Sequence, residues 1–345
     1  MAGYRGYYHY RGRKSRAKAA VTVLLILVIL IAVVVILLQR HIVYDEAGMP
    51  HLEIPWQKEE PEEQEPPDMG KLDLTLEEQL EETPVELRGY SAPTGVLTTA
   101  VWEELQMVLT TADPAYNVVA VTLKDHAGDV YFDSGIALTR AIKTEADTAA
   151  VLGQITALEE QHAVARIACF HDPRIANADV EGMGLKNTGG YIFYDGNNSQ
   201  WLDPAKPAAR QYLCDLAEEA ALLGFDEIML TDVSYPTEGK LDKVEYGTAA
   251  KTDNMENFLR EMRAVLEPYG VELSVEVPAS VLTEGRDDLS GLTLIGVAES
   301  ADRIYAAVAP TVAEACAAAA EMEVDIVPIL AAYDPAIAGN CLILG

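Results

Sequence analysis

Apolar positions along this chain fall into three rhythms. Residues 19–38, AAVTVLLILVILIAVVVILL, carry no charge and no repeating polar face. A run of that length matches the roughly 20 residues with which an α-helix crosses a bilayer's hydrocarbon core. From 39 to 84 the rhythm vanishes: HIVYDEAGMPHLEIPW gives way to KEEPEEQEPPD at 58–68, acidic and Pro-rich. Such a segment buries too little apolar surface to offset its ordering entropy, and it predicts an extended stalk. From 85 onward short apolar runs alternate with amphipathic stretches.

The short runs predict strands at 86–92, 117–124, 163–170, 227–233, 271–277, 303–309, 324–330 and 341–344. Helical spacing marks 98–112, 145–161, 207–224, 254–270 and 311–323, and DVYFDSG at 129–135 reads as a small hairpin on the second strand. Eight strands with intervening helices over residues 85–345 predict a (β/α)8 TIM barrel. A doubly wound sheet would want a Gly-rich phosphate loop after its first strand, and the sequence has none there. No helix is predicted after the eighth strand, so that end of the barrel needs another cover, for which the 70–85 segment is the candidate.

Charge fixes an orientation for this layout. Before the apolar run stand Arg5, Arg11, Arg13, Lys14, Arg16 and Lys18 without one acid, and Arg40 follows it. The positive-inside rule then assigns 1–18 to a cytoplasmic tail, 19–38 to a single-pass transmembrane helix in the cell membrane, and the rest to the extracytoplasmic side. A cleaved signal peptide would have a shorter apolar region ending in a small-residue site, whereas Gln39-Arg40-His41 follows here. Of 25 basic residues seven precede position 41, so the outer portion sets 18 against 55 acids, a net charge near −37. That field disfavours nucleic acid and other polyanions, leaving neutral polysaccharide or oligosaccharide, cations or a basic surface protein as partners. The Tyr- and Arg-rich tail is accounted for by anionic headgroups rather than RNA.

The four cysteines, at 169, 214, 316 and 341, lie far apart in apolar strand-like or helical runs and are expected as buried free thiols. No His/Cys/Asp cluster shows zinc spacing, and neither metal nor cofactor is expected.

Function in a barrel of this kind concentrates at the C-terminal strand ends. There the sequence offers Lys124 and Asp125 after strand two, Asp172 after strand three, Asp232 on strand four and Glu276 on strand five. Arg166 lies mid-strand and requires a carboxylate partner such as Asp125 or Glu276 if it faces inward. Two carboxylates across the mouth suit glycoside hydrolysis, one as acid and one as nucleophile or base. Trp201, Tyr235, Tyr191 and Tyr194 are candidate sugar platforms. Each residue also has a plainer reading: Asp172 before Pro173 as a helix cap, Asp125 as a turn residue, Trp201 as a loop staple.

Several local matches give the 85–345 portion a family resemblance. LKDHAGDVYFDS (123–134), ARIACFHDPRIA (165–176), WLDP (201–204), GFDEIMLTDVSYP (224–236) and Glu276 within LSVEVP occur in the order and spacing of the bacterial DUF4015 glycosyl hydrolase domain family. The chain resembles that family, which is related to α-amylase-like barrels. The resemblance implies a barrel acting on cell-wall or surface polysaccharide, with Glu276 and Asp232 catalytic. It also implies Lys124, Asp125, Arg166, Asp172, Trp201, Asp203 and Tyr235 as substrate contacts. The pattern departs in five places. Glu276 stands where the family has an Asp; the family's strand-four acid falls on Thr231, with Asp232 one position later; its Arg is Ser234; its strand-two Asp is Thr122; and its M-V-Y-P is Ala307-Val308-Ala309-Pro310. Side chains alternate along a strand, so Asp232 should face away from the site unless a bulge re-aims it. Three readings stay open: an active hydrolase, a glycan-binding barrel without turnover, and a scaffold for a basic surface protein.

Overall fold

The computed structural model describes residues 42–44, 50–52, 86–113, 115–139, 147–320, 324–332 and 339–345. The basic tail, the 19–38 run, the 58–84 stalk and the 70–85 segment lie outside these residues. Among the described residues no helix is long and apolar enough to cross a membrane. The chain divides into two units at residue 79. In the first, β1 (Ile42–Tyr44) pairs antiparallel with β2 (Pro50–Leu52), two short strands in a stretch that the sequence reading left without structure.

In the second unit eight parallel strands close into a barrel. They are β3 (Arg88–Ser91), β4 (Val118–Lys124), β5 (His162–Ala168), β6 (Glu227–Thr231), β7 (Glu272–Glu276), β10 (Arg303–Ala306), β11 (Asp325–Leu330) and β12 (Cys341–Leu344). Seven of them fall within the expected apolar runs, and β5 begins one residue ahead of its run. Closure comes from β12, which pairs with β3 from Cys341↔Arg88 to Leu344↔Ser91.

Alternation along each strand sorts the residues. Val118, Ala120, Val164, Met229, Tyr305, Val327, Ile329 and Leu342 form one buried cluster, while their neighbours Val119, Val121, Ala165, Ile228, Leu273 and Ile304 pack in the larger outer core. The same period gives β5 an inward series His162, Val164, Arg166, Ala168, and gives β6 the series Glu227, Met229, Thr231.

Helices cover the outer faces by their apolar stripes. α1 (Thr99–Thr111) is capped by Thr98, whose hydroxyl accepts from Val101 N at 3.3 Å, and buries Trp102, Leu105 and Leu109. α2 (Asp147–Ile155) follows β4. After β5 come α3 (Pro173–Ala178) and α4 (Pro207–Leu222), both with Pro in the first turn. α5 (Lys251–Leu266) buries Met255, Phe258, Leu259, Met262 and Leu266 at helical spacing. Between β7 and β10, where no helix was expected, stand α6 (Ala279–Glu284), the hairpin β8 (Arg286–Asp287) with β9 (Leu292–Thr293), and α7 (Leu294–Ala298). Helices this short show less than two turns of periodicity, which explains why the pattern missed them. α8 (Pro310–Ala320) precedes β11. The expected 129–135 hairpin is present as a fold-back held by the antiparallel bridge Lys124↔Val130. All four cysteines are free and buried.

Candidate active site

A cleft of about 700 Å³ opens at the C-terminal strand ends. Its walls come from Thr122 and Lys124 on β4, Arg166 and Ala168 on β5, Thr231 on β6 with Asp232, Val233 and Ser234 beyond it, Glu276 on β7, and Ala307 after β10. Loops add Gly95, Asp125, His126, Tyr131 and Trp201.

Asp232 enters this cleft by a change of backbone hand. Its φ is +50°, in the left-handed region that L-residues other than Asn and Asp seldom adopt. The turn breaks the alternation of β6, so consecutive residues Thr231 and Asp232 both line the cleft. A bulge was the expected device; a left-handed residue at the strand end takes its place. Hydrogen bonds pin the turn: Cys169 N donates to Thr231 O at 2.8 Å, and Phe170 N and Ser234 N donate to Asp232 O at 3.1 and 2.9 Å. Strain of this kind, held by its surroundings, is common at functional sites.

Glu276 stands across the cleft at the end of β7. Burial pushes its carboxyl above the ordinary range; Arg166 pulls it down through charge and a hydrogen bond, and the charge of Asp232 pushes it up. Arg166 Nη2 donates to Glu276 Oε2 at 3.3 Å, and Nη1 donates to Ser91 Oγ at 3.2 Å. Arg166 Nε is buried without a hydrogen-bond partner among the described residues. Of the two partners expected for this arginine, Glu276 is the one it takes.

Lys124 shows a different use of charge. Its ammonium is fully buried, 3.0 Å from Asp172 Oδ2, and donates to Ala168 O at 2.7 Å. Asp172 accepts from Arg174 N and Ile175 N at the start of α3 and from Tyr212 Oη at 3.3 Å. The pair therefore fastens the strand-two and strand-three ends beneath the cleft. Asp125 organises its own turn by accepting from Ala127 N, Asp129 N and Tyr131 Oη. Burial, together with that last bond, pushes the Tyr131 phenol up to about 12.

Of the seven expected substrate contacts, Lys124, Asp125, Arg166 and Trp201 line the cleft; Asp172, Asp203 and Tyr235 do not. Asp203 is buried and accepts from Ala205 N, with its carboxyl pushed up by burial. Tyr235 is 0% exposed, its hydroxyl accepting from Asn254 Nδ2 at 2.8 Å. Both sit in loop motifs that resemble the family's, and both are buried and held by hydrogen bonds away from the cleft lining. Tyr191 and Tyr194 are exposed but belong to a loop outside the cleft.

Two histidines went unnoticed in the sequence. His126 lines the cleft, and His171 stacks on Trp201 with ring centroids 4.3 Å apart and planes 3° from parallel. His171 lies 5.5 Å from His126 and pairs with Ser199 Oγ at 2.7 Å. Burial pulls the His171 imidazole down. Trp201 Nε1 donates to Asp195 Oδ2 at 2.9 Å. The available signal was position: each histidine directly follows or precedes an acid at a strand end, in KDH and HDP.

Among the described residues one His/Glu group has metal-like spacing, His162, Glu227 and Glu272, at the N-terminal strand ends. Arg303 fills it: its guanidinium is 3.0 Å from Glu272 Oε2 and bonds Glu227. A fixed cation thus stands where a metal would, and the group reads as a structural charge network.

What the cleft can do follows from its contents. Besides Asp125, which is engaged by its own turn, it holds two carboxyls, Asp232 and Glu276, the second burdened by burial, beside the Arg166 guanidinium. That set suits proton transfer to a leaving oxygen with a second carboxylate at hand.

Comparison with known proteins agrees. The family model DUF4015, described as "Putative glycosyl hydrolase domain", matches residues 94–320, more than half of the chain. Among solved structures, the glycoside hydrolase domain of PgaB (BpsB) from Bordetella bronchiseptica is similar with a TM-score of 0.54 at 14% identity, over 72% of this chain and 84% of that one. An alpha-amylase from Lactobacillus plantarum is similar with a TM-score of 0.50 at 13% identity, over 75% and 70%. A hypothetical protein from Ruminiclostridium thermocellum is 26% identical over 54% of this chain and 96% of its own, with a TM-score of 0.46. No curated protein sequence matches. At these identities the solved structures speak for the barrel fold alone.

Proposed function

Because the chain belongs to the DUF4015 family, we propose that its barrel hydrolyses glycosidic bonds of a cell-wall or surface polysaccharide, with Glu276 as general acid/base and Asp232 as the second carboxylate. The observation that carries this reading is the left-handed backbone at Asp232, which delivers the displaced acid to the cleft that holds Glu276. In the first step the Glu276 proton passes to the glycosidic oxygen as the C–O bond breaks. The Asp232 carboxylate either attacks the anomeric carbon, forming a glycosyl ester that water then cleaves as it gives its proton to the ionised Glu276, or takes a proton from a water that attacks that carbon directly. Burial keeps Glu276 protonated to higher pH than a free glutamate, as a general acid requires. Arg166 holds the carboxyl in place. No metal or cofactor enters this scheme.

A second reading, glycan binding without turnover, draws support from Thr122 and Thr231, which line the cleft where the resemblance places acids. Sugar release from a polysaccharide panel separates the two. Turnover by the native chain that disappears in Glu276→Gln supports hydrolysis; tight binding with no released sugar supports the second reading.

For its setting we propose a single-pass anchor at 19–38, with the basic tail inside and the barrel on a tether outside. Protease added to intact cells should then remove the barrel, and barrel protected until lysis would contradict the arrangement. A basic surface protein remains the alternative partner for so acidic an outer domain; its capture should weaken at high salt.

A further inference from the structure

Beside the barrel mouth lies a second hollow, of about 550 Å³, between the loop after β5 and the loop after β6. Its volume falls in the ~300–1,000 Å³ range of small-molecule sites. We infer that this hollow is a second saccharide subsite, holding neutral sugar units of the same chain whose scissile bond lies in the barrel mouth. The inference rests on the glycan-directed reading of the barrel and extends it to a substrate class: polymers rather than short oligosaccharides.

Construction is the first argument. Thr188 N donates to Lys243 O at 2.8 Å, and Asn187 bridges Val244, so the two loops are laced together. At the other end they touch backbone to backbone. Gly239 has φ +102°, and a Cβ there would lie 2.8 Å from Gly196 N. Only glycine permits that approach. The hollow is thus shaped by specific contacts.

Its lining is the second argument. Tyr194 is 48% exposed at the edge, over a buried Phe193. An exposed tyrosine ring offers the flat apolar surface on which the axial C–H face of a pyranose lies. Lys240 makes no ion pair among the described residues, and Lys243 pairs only with its exposed neighbour Asp242 at 2.9 Å. Ammonium and Thr188 hydroxyl groups can bond ring hydroxyls without demanding an anion, which the acidic outer domain would repel.

Continuity with the mouth is the third. Asp195 lines the second hollow, and its carboxylate accepts from the indole N–H of Trp201, which lines the first. Asp195 Oδ1 also accepts from Asn197 N and Ser199 N at 2.9 and 2.8 Å, which fixes that carboxylate. Asp195, next in sequence to Tyr194, thus ties the second hollow to a residue of the first.

The test is calorimetric binding by the full chain carrying Glu276→Gln, so that no sugar is cut. The probes are disaccharides and hexasaccharides of β-1,4-linked N-acetylglucosamine, β-1,4-linked glucose and α-1,4-linked glucose. For the series that binds, Tyr194→Ala should weaken the hexasaccharide about tenfold and leave the disaccharide unchanged, with Tyr194→Phe restoring the hexasaccharide affinity. Trp201→Ala should weaken both lengths. Equal affinity for both lengths, or a Tyr194→Ala loss shared by both, overturns the second subsite while leaving the barrel's function standing. Binding of no probe at either length overturns the glycan-directed reading and the subsite with it.

Discussion

Arg166 and Glu276 are 110 residues apart in sequence and meet at 3.3 Å across the barrel mouth, Nη2 to Oε2. The contact joins the one guanidinium on β5 to the acid at the end of β7, and it sets two opposing influences on that acid. Burial and Asp232 push the Glu276 carboxyl up; Arg166 pulls it down.

Removing the guanidinium should therefore shift a titration. If Glu276 is the general acid, it must be protonated to act, and its titration forms the alkaline limb of kcat/KM against pH. Arg166→Met deletes the pull and should move that limb to higher pH. A limb that stays in place, or moves to lower pH, would show that another group supplies the proton.

Asp232 separates strain from chemistry. A left-handed non-glycine residue costs about 1–2 kcal/mol, an amount that glycine avoids but offsets with about 0.5–1 kcal/mol of chain entropy. Asp232→Gly should accordingly leave unfolding free energy within about 1 kcal/mol of the native protein while turnover falls by orders of magnitude. Asp232→Val, β-branched at φ +50°, should lose about 1–3 kcal/mol. Urea unfolding of the three proteins measures this, and a strongly destabilised Asp232→Gly would contradict it.

The Lys124–Asp172 pair is predicted to matter for stability first. Both side chains are fully buried, and removing one partner leaves an uncompensated charge worth about 3–5 kcal/mol. Asp172→Ala also exposes the amide cap of α3. Lys124→Met combined with Asp172→Asn should recover part of the single-variant loss. Chemical denaturation of Lys124→Met, Asp172→Asn and the double closes the cycle, and strict additivity would argue against the pairing.

At the opposite end of the barrel, His162 Nε2 lies 2.9 Å from Glu227 Oε2. Burial disfavours the imidazolium, but the Glu227 bond and the charges of Glu227 and Glu272 outweigh it, raising His162 above its ordinary 6.5. Burial likewise disfavours the Glu227 carboxylate, and the His162 bond and Arg303 outweigh it, lowering Glu227. The histidine term is fully present below about 6.5 and is lost as pH rises through its folded value. The glutamate term is present above about 4.3 and is lost as pH falls through its own. His162→Gln should flatten the decline in stability on the alkaline side of 6.5, and an unchanged slope there would contradict the network.

Much of this was legible in the sequence, for identifiable reasons. Strands buried on both faces read as near-continuous apolar runs, as β4, β11 and β12 do, whereas β3, Arg-Gly-Tyr-Ser, was placed by the rhythm of its neighbours. α6 and α7 are too short to show a helical period. The direction of Asp232 was not legible, because alternation presumes a strand backbone and a single positive φ cancels it. Asp203 and Tyr235 matched family motifs but are held by hydrogen bonds away from the cleft lining, and loop motifs do not distinguish a wall from its foundation. His171 was overlooked because its partner Trp201 lies thirty positions on, joined only by the bridge between them.

Glycan cleavage by Glu276 and Asp232 is decided by reducing-end release from wall and surface polysaccharides, measured for the native chain and for Glu276→Gln of equal stability. Release by the native chain that falls by several orders of magnitude in the variant is expected; no release by the native chain, or undiminished release by Glu276→Gln, rules the mechanism out.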